Sequence, residues 1–190
     1  MKEKTNSRER IRRLVIYVTV FPMLGTLMFA SDILMEALPN IHLVGMFVMA
    51  FTLIFRAKAL IPIYVYVLLN GFYMSFSPWW VPYLYVWTVL WGITMLLPRK
   101  MPKVAKLIVY PVVCSLYGFL FGTLFAPGQA LMFGLGFKEM LAWIAAGIPF
   151  DIIHGISNIF AGMLVFPLSE LIARLWKRLR IGTTTHSSQL

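Results

Sequence analysis

Residues 59–98 read ALIPIYVYVLLNGFYMSFSPWWVPYLYVWTVLWGITMLLP, a run without a single charged side chain. As one helix this run would extend about 60 Å, twice the roughly 30 Å hydrocarbon core of a bilayer. It must therefore fold back on itself. We place the turn at Ser75-Phe76-Ser77-Pro78, because proline lacks a backbone donor and disfavours helix at the preceding residue. The run predicts a helical hairpin inside a membrane.

The composition of the whole chain supports a membrane protein. Hydrophobic residues make up 60% of the 190 residues and charged residues only 13%, about half the share of roughly 25% in soluble domains. So little charge cannot cover the surface of a soluble globule of this size. The net charge of +10 does not indicate a nucleic-acid binder, because the basic residues form short clusters between apolar runs rather than one water-exposed patch.

Further charge-free runs at 14–31, 37–55, 107–137 and 152–169 extend the same argument to the rest of the chain. We predict an all-α polytopic membrane protein with about six transmembrane helices, at 14–31, 41–56, 59–74, 79–97, 104–125 and 150–173. Between the last two helices, Pro127-Gly128 and Pro149 are predicted to break the chain, which leaves a loop that carries a short helix near 138–148.

The positions of lysine and arginine predict the orientation. Cytoplasmic loops retain these residues, whereas short translocated loops are depleted of them. With six crossings, sixteen of the seventeen basic residues fall on the side of the chain termini, and only Lys138 falls on the other. Both termini are therefore predicted to be cytoplasmic in a multi-pass cell-membrane protein. The predicted organisation is a basic N-terminus at 1–13, a six-helix membrane domain at 14–176 and a polar tail at 177–190.

Polar residues near membrane depth are the candidates for function, because they are costly there and face the protein interior or a cavity. Asp151, His154 and Asn158 follow an i, i+3, i+7 pattern, which places them on one helical stripe that descends from the outer surface. Two interpretations stay open. The stripe lines a pocket for a polar ligand, or the three side chains hold helices together by hydrogen bonds.

Five further residues on the outer side complete the candidate site. The polar members are Asn40, His42 and Asn70, and an unsatisfied amide at the last position would cost several kcal/mol in hydrocarbon. The aromatic members are Trp80 and Tyr83, which either contact the ligand as supporting walls of the pocket or belong to an interfacial aromatic belt.

No recognised catalytic or metal-binding motif occurs in the chain. It contains no P-loop, no G-x-S-x-G elbow, no H-E-x-x-H helix and only one cysteine. Asp151, His154 and His42 lack a recognised metal-ligand spacing. We therefore expect no catalytic residue, cofactor or resident metal. Gly118 and Gly122 form a small-xxx-small pair that predicts a close helix contact, either within the protein or with a partner.

Four segments carry a resemblance to a known family: Pro39–Val44 (PNIHLV), Tyr64–Gly71 (YVYVLLNG), Trp79–Trp87 (WWVPYLYVW) and Pro149–Asn158 (PFDIIHGISN). Across residues 12–176 the chain resembles the substrate-binding S components of energy-coupling-factor (ECF) transporters, and it looks like the members whose substrate is unassigned. The family's first helix often has an Ala-xxx-Ala contact, where this chain has Thr26 and Ala30.

The resemblance implies that the chain captures a vitamin-like or other small micronutrient on the outer side of a prokaryotic membrane. It further implies partners: a membrane coupling subunit and two cytosolic ATPases that hydrolyse the ATP. The alternative is a small integral-membrane enzyme acting on lipid or isoprenoid substrates, with Asp151 and His154 as an acid/base pair. This pair is predicted to lie on the outer side, away from activated substrates in the cytosol, which counts against the enzyme. The absence of an outward arginine favours a neutral or cationic ligand over a strongly anionic one.

Overall fold

The computed structural model describes the backbone of residues 2–185 and the side chains of residues 10, 11 and 14–179. In that range the protein is built of α-helices without a strand. The helices are α1 (Lys2–Leu34), α2 (Val44–Phe55), α3 (Leu60–Tyr73), α4 (Tyr83–Leu96), α5 (Lys103–Phe119), α6 (Phe121–Phe133) and α7 (Phe137–Thr185), with a 3-10 turn at Arg56–Ala59 between α2 and α3.

Among the described residues, four helical segments are long and apolar enough to cross a membrane. They are Leu14–Leu34, Val44–Tyr73, Lys103–Phe133 and Phe137–Leu179, and α4 is a shorter apolar helix. Large hydrophobic side chains are exposed along all of these segments, for example Met23, Leu68, Leu116 and Phe160. An all-helical chain with such surfaces is compatible with a membrane protein.

The segment Val44–Tyr73 bends back on itself at Arg56, whose φ of 56° lies in the left-handed region. Before this bend, Gly45 lies near Asn158 and Phe55 packs on Trp176, so α2 runs in the same direction as α7. After the bend, α3 runs beside α1 and parallel to it. Gly25 of α1 permits this approach, since a Cβ there would lie 2.7 Å from the Pro62 carbonyl oxygen.

The helices α5 and α7 form the closest antiparallel pair, and glycine makes their approach possible. A Cβ at Gly118 would lie 2.9 Å from the Gly155 Cα, and one at Gly162 would lie 2.5 Å from the Pro111 Cα. Both distances are shorter than van der Waals contact. The predicted close contact at Gly118 is therefore internal, against α7.

The bundle has two ends of different character. At one, which we name the basic end, the Arg56 carbonyl accepts a hydrogen bond from Trp91, and the Lys58 ammonium donates to the Tyr17 hydroxyl. At the other, which we name the polar end, Asp32 accepts hydrogen bonds from the Tyr66 hydroxyl and the Asn70 amide. Each of the helices α1, α2, α3 and α4 runs from one end towards the other.

Two predicted boundaries are wrong. Between 126 and 149 the structure forms a loop only at 134–136, because α6 continues through Pro127 to Phe133 and α7 begins at Phe137 and continues through Pro149; the predicted short helix near 138–148 is part of α7. The predicted fourth helix at 79–97 begins only at Tyr83, because Ser75 and Phe76 adopt left-handed φ angles and the chain forms irregular turns up to Pro82. The α7 helix reaches Thr185. The remainder of the predicted polar tail, residues 186–190, lies outside the described residues.

Tyr85 explains how α6 passes Pro127. In an unbroken helix the Gly128 N–H would donate to the Leu124 carbonyl. Here the Gly128 N–H donates to the Tyr85 hydroxyl over 3.1 Å, and that hydroxyl donates to the Leu124 carbonyl over 2.7 Å. The phenol of α4 is thus inserted into the helical hydrogen bond beside the proline, and backbone groups freed in this way are tolerated in a membrane when a side chain satisfies them.

Replacing Tyr85 with phenylalanine should therefore weaken α6. We expect the free energy of unfolding to fall by about 1–2 kcal/mol, because the partly buried Gly128 N–H and Leu124 carbonyl lose their partner. Hydrogen–deuterium exchange should also become faster at residues 121–133. The control is Tyr73→Phe, which removes a surface hydrogen bond to Glu36. Equal exchange at 121–133 in Tyr85→Phe and in the unmodified protein would contradict the bridging role.

Candidate ligand-binding site

The stripe of Asp151, His154 and Asn158 faces the interior of the bundle. The exposed fractions of these side chains are 9%, 1% and 0%, whereas Phe150 and Ile153 on the same helix are exposed. Their partners are α5 and the first turn of α6, which pack against this side of α7. The three polar side chains therefore occupy one buried face, and each has a different environment.

Asp151 is held at the start of α6. Its Oδ1 accepts a hydrogen bond from the Gly122 N–H over 2.9 Å. The first N–H groups of a helix lack intrahelical partners, and a carboxylate placed there is also stabilised by the helix dipole. A Cβ at Gly122 would lie 2.5 Å from Asp151 Oδ2, so only glycine permits this contact. For Asp151, the interpretation as a contact between helices has direct geometric support.

The side-chain amide of Asn158 forms a hydrogen bond through its nitrogen but not through its oxygen. Its Nδ2 donates to the Cys114 carbonyl of α5 over 3.2 Å. Its Oδ1 is buried and has no hydrogen-bond partner within the described part of the chain. The amide thus ties α7 to α5 and also presents an unused acceptor.

His154 has no hydrogen bond from its ring to any described residue, although both of its ring nitrogens are buried. The ring contacts His42 at a centroid distance of 4.6 Å and Phe121 at 4.8 Å. The Nδ1 of His42 and the indole Nε1 of Trp87 are also buried and unpaired among the residues described here. Trp87 lies 5.9 Å from His42, so these side chains adjoin one another.

We name His42, Trp87, His154 and Asn158 the polar cluster. It contains five buried nitrogen or oxygen atoms that no described protein group satisfies. Each unsatisfied atom of this kind costs about 1–3 kcal/mol. Native proteins leave few buried atoms of this kind without a protein partner, and where they do, a water molecule or a ligand supplies the missing hydrogen bond.

Aromatic rings enclose the polar cluster. The rings of Tyr66, Tyr83, Tyr117 and Phe121 surround Trp87 at centroid distances of 5.9, 6.0, 6.2 and 5.6 Å. The hydroxyl of Tyr66 is engaged with Asp32 and that of Tyr117 with the Val86 carbonyl. These two tyrosines therefore offer ring surfaces to the cluster.

A cleft of about 390 Å³ opens beside the polar cluster at the polar end. Its lining comprises Asn40, Trp79, Phe121, Gly122, Phe125, Trp143, Ala146, Gly147, Phe150 and Asp151. Phe125 and Trp143 stack with an interplanar angle of 10° on one wall. Because Phe121 lines the cleft and also touches His154, its ring separates the cleft from the cluster.

The predicted site residues divide into two groups. Asn40 and Asp151 line the cleft, His42, His154 and Asn158 belong to the polar cluster, and Tyr83 packs against Trp87. The other two predicted side chains, Asn70 and Trp80, form hydrogen bonds with other parts of the protein. Asn70 donates to Asp32, and the Trp80 indole donates to the Val67 carbonyl over 2.8 Å. Trp80 thus braces the α3–α4 connection.

Sequence reasoning missed Phe121, Tyr117 and Trp79. In a chain with 15% aromatic residues, another phenylalanine or tyrosine carries no distinguishing signal. Asp32 was also missed, although it anchors Tyr66 and Asn70. Within the described residues, no group of three His, Cys, Asp or Glu side chains is arranged to hold a metal ion.

Comparisons of the chain with protein-family models, with curated proteins and with solved structures found no match. The resemblance to ECF S components therefore stays a prediction.

His154 offers a direct test of the polar cluster. His154→Leu should leave the free energy of unfolding of the ligand-free protein unchanged or raise it by about 1 kcal/mol, because no hydrogen bond is lost and a buried polar group is removed. Tyr66→Phe is the matched control, since it removes a buried hydroxyl that does have a partner, and it should cost about 1 kcal/mol. Unfolding in mixed micelles measures both changes. A loss above about 2 kcal/mol in His154→Leu would show that the imidazole is already satisfied.

Proposed function

We propose that this chain is the substrate-capture component of an ATP-driven importer of the ECF type, in the cell membrane of a prokaryote. Its ligand is a small molecule that enters the cleft at the polar end and forms hydrogen bonds with the polar cluster. ATP hydrolysis belongs to partner subunits, namely two cytosolic ATPases that act through a membrane coupling subunit.

The observation that carries this proposal is the pair of unpaired nitrogens on the buried His154 ring. A helix-packing role would give this side chain a partner, as it does for the Asn158 amide nitrogen and for Asp151. A binding role requires polar atoms that stay free until the ligand arrives. The adjoining cleft supplies an entry path, along which the Phe121 ring moves aside.

The atoms of the site favour a neutral, planar ligand. Asn158 Oδ1 accepts a hydrogen bond, and the Trp87 indole N–H donates one. Burial lowers the pKa of His42, against the opposing influence of Asp32, so its ring is neutral at pH 7 and has one donor and one acceptor. No described lysine or arginine lines the cleft, so a carboxylate or phosphate would find no counter-charge. The aromatic walls suit a flat ring.

The size of the cleft agrees with a micronutrient. Small-molecule pockets occupy about 300–1,000 Å³, and 390 Å³ falls at the lower end of this range. The cleft would hold such a ligand between α6 and the first half of α7, with Asn40 and Trp79 completing the lining.

The charge distribution favours capture from outside. We interpret α1, α2, α3, α4, the α5–α6 pair and α7 as six crossings, in which the bend at Arg56 separates the second from the third. The basic end then faces the cytoplasm and the polar end faces outward, because cytoplasmic loops retain lysine and arginine. Both chain termini belong to the cytoplasmic side in this topology.

The enzyme alternative lacks a supporting observation. It requires Asp151 and His154 to exchange protons with each other or with a shared substrate atom. Asp151 instead accepts from the Gly122 N–H, and neither nitrogen of His154 is bonded to a described side chain.

Mass spectrometry of small molecules that co-purify with the protein tests this proposal. We expect one compound to be retained by the unmodified protein and at least tenfold less of it by His154→Leu and Asn158→Leu, since one hydrogen bond contributes about 1.4 kcal/mol, or a factor of ten. Tyr64→Phe is the control, because this exposed hydroxyl bonds to Leu84 and Thr88 away from the cleft. The proposal fails if repeated preparations are empty, or if the control loses the compound equally.

A further inference from the structure

A second cleft, of about 340 Å³, opens at the basic end of the bundle. Four parts of the chain contribute to it: the end of α2 with the bend, the α4–α5 connection, α5 and α7. Its lining comprises Leu53, Ile54, Arg56, Leu97, Pro98, Arg99, Lys106, Tyr110, Ser169 and Glu170. Three cationic side chains thus surround one cavity, together with a single carboxylate.

Arg56 is held in place within this cleft. One guanidinium nitrogen, Nη2, donates to the Met95 carbonyl over 2.8 Å, and the Arg56 carbonyl accepts from the Trp91 indole over 3.1 Å. The backbone adopts a φ of 56°, which a non-glycine residue rarely takes. A basic residue that served only to keep its loop in the cytoplasm would need neither these hydrogen bonds nor this backbone conformation.

The fixed guanidinium keeps an unused donor. The Nε of Arg56 is buried, and no described residue accepts its proton. The Nε and the adjacent Nη of an arginine form a planar fork that matches two oxygens of a phosphate or carboxylate. An unpaired donor of a charged group is costly when buried, so its natural partner is an anion that enters from the cleft.

We propose that this cleft binds a phosphate group, with Arg56 as the oriented fork and with Arg99 and Lys106 as further counter-charges. Phosphate suits the site better than a carboxylate because three cations can share its several oxygens. The group comes either from an anionic lipid headgroup, which lies at the depth where helices such as α4 end, or from a soluble phosphate. The proposal does not depend on the ligand site at the polar end.

Native mass spectrometry and tryptophan fluorescence test the proposal on the full chain in nanodiscs. In the first arm, the protein is released from nanodiscs of mixed phosphatidylcholine and phosphatidylglycerol, and the retained phosphatidylglycerol is counted. In the second arm, inorganic phosphate is titrated onto protein in pure phosphatidylcholine, and the fluorescence of Trp91 and the other tryptophans is recorded. The variant Arg99→Gln/Lys106→Gln preserves Arg56 and the bend.

The double variant should bind its phosphate compound about twenty-five-fold more weakly, since each of the two basic residues contributes roughly a factor of five near an anionic headgroup. The matched control is Lys100→Gln/Arg174→Gln, which removes the same charge from exposed positions outside the cleft. It should bind as the unmodified protein does. A further variant, Arg56→Lys, retains the charge without the fork and should bind at least fivefold more weakly.

The two arms distinguish the sources of the phosphate. Selective retention of phosphatidylglycerol identifies a lipid headgroup, and a saturable response to inorganic phosphate identifies a soluble anion. Either result supports the proposal if Arg99→Gln/Lys106→Gln loses this binding and Lys100→Gln/Arg174→Gln keeps it. The proposal is overturned if neither compound binds, or if the control weakens binding as much as the double variant.

Discussion

Within hydrocarbon, each polar group of a protein must find its hydrogen-bond partner in the protein itself, because no water is there to supply one. The described structure obeys this constraint at three points in particular. The Tyr85 hydroxyl bridges α6 beside Pro127, the Asp151 carboxylate accepts the Gly122 N–H at the start of that helix, and the Trp80 indole binds the Val67 carbonyl. Against this background, five of the seven buried side-chain atoms without a partner among the described residues belong to His42, Trp87, His154 and Asn158, and the other two are Arg56 Nε and Gln129 Oε1. Their concentration beside one cleft is the physical basis of the proposed function.

The contact between α5 and α7 determines where these atoms lie. Gly118 and Gly162 bring the two helix backbones so close that the amide of Asn158 reaches the Cys114 carbonyl. The same approach buries His154 against Phe121 and His42. Small residues at a helix interface usually serve packing alone. Here they also bury the polar stripe inside the bundle, so the packing of two helices and the formation of the site have one cause.

Part of the fold and of the site could be predicted from sequence. The charge-free run from 59 to 98 required a reversal, and the structure ends α3 at Tyr73 and begins α4 at Tyr83. The spacing of Asp151, His154 and Asn158 placed them on one stripe, which is the buried face of α7. The helices through Pro127 and Pro149 could not be predicted by local rules. For Pro127, the compensating Tyr85 lies about forty positions earlier in the chain. The role of Phe121 could not be predicted either, because it depends on the position of this ring between the cleft and the polar cluster, which only the folded structure shows.

The central claim is that the cleft beside the polar cluster opens to the outside while the basic end faces the cytoplasm. Cysteine labelling tests it most directly, because Cys114 is buried and gives a silent background. Ala146→Cys places a thiol at the exposed rim of the cleft, and Lys177→Cys places one on the exposed surface near the basic end. A membrane-impermeant maleimide should label Ala146→Cys on intact cells and Lys177→Cys only after the cells are permeabilised. Labelling of both positions from the same side, or in the reverse order, would contradict the account.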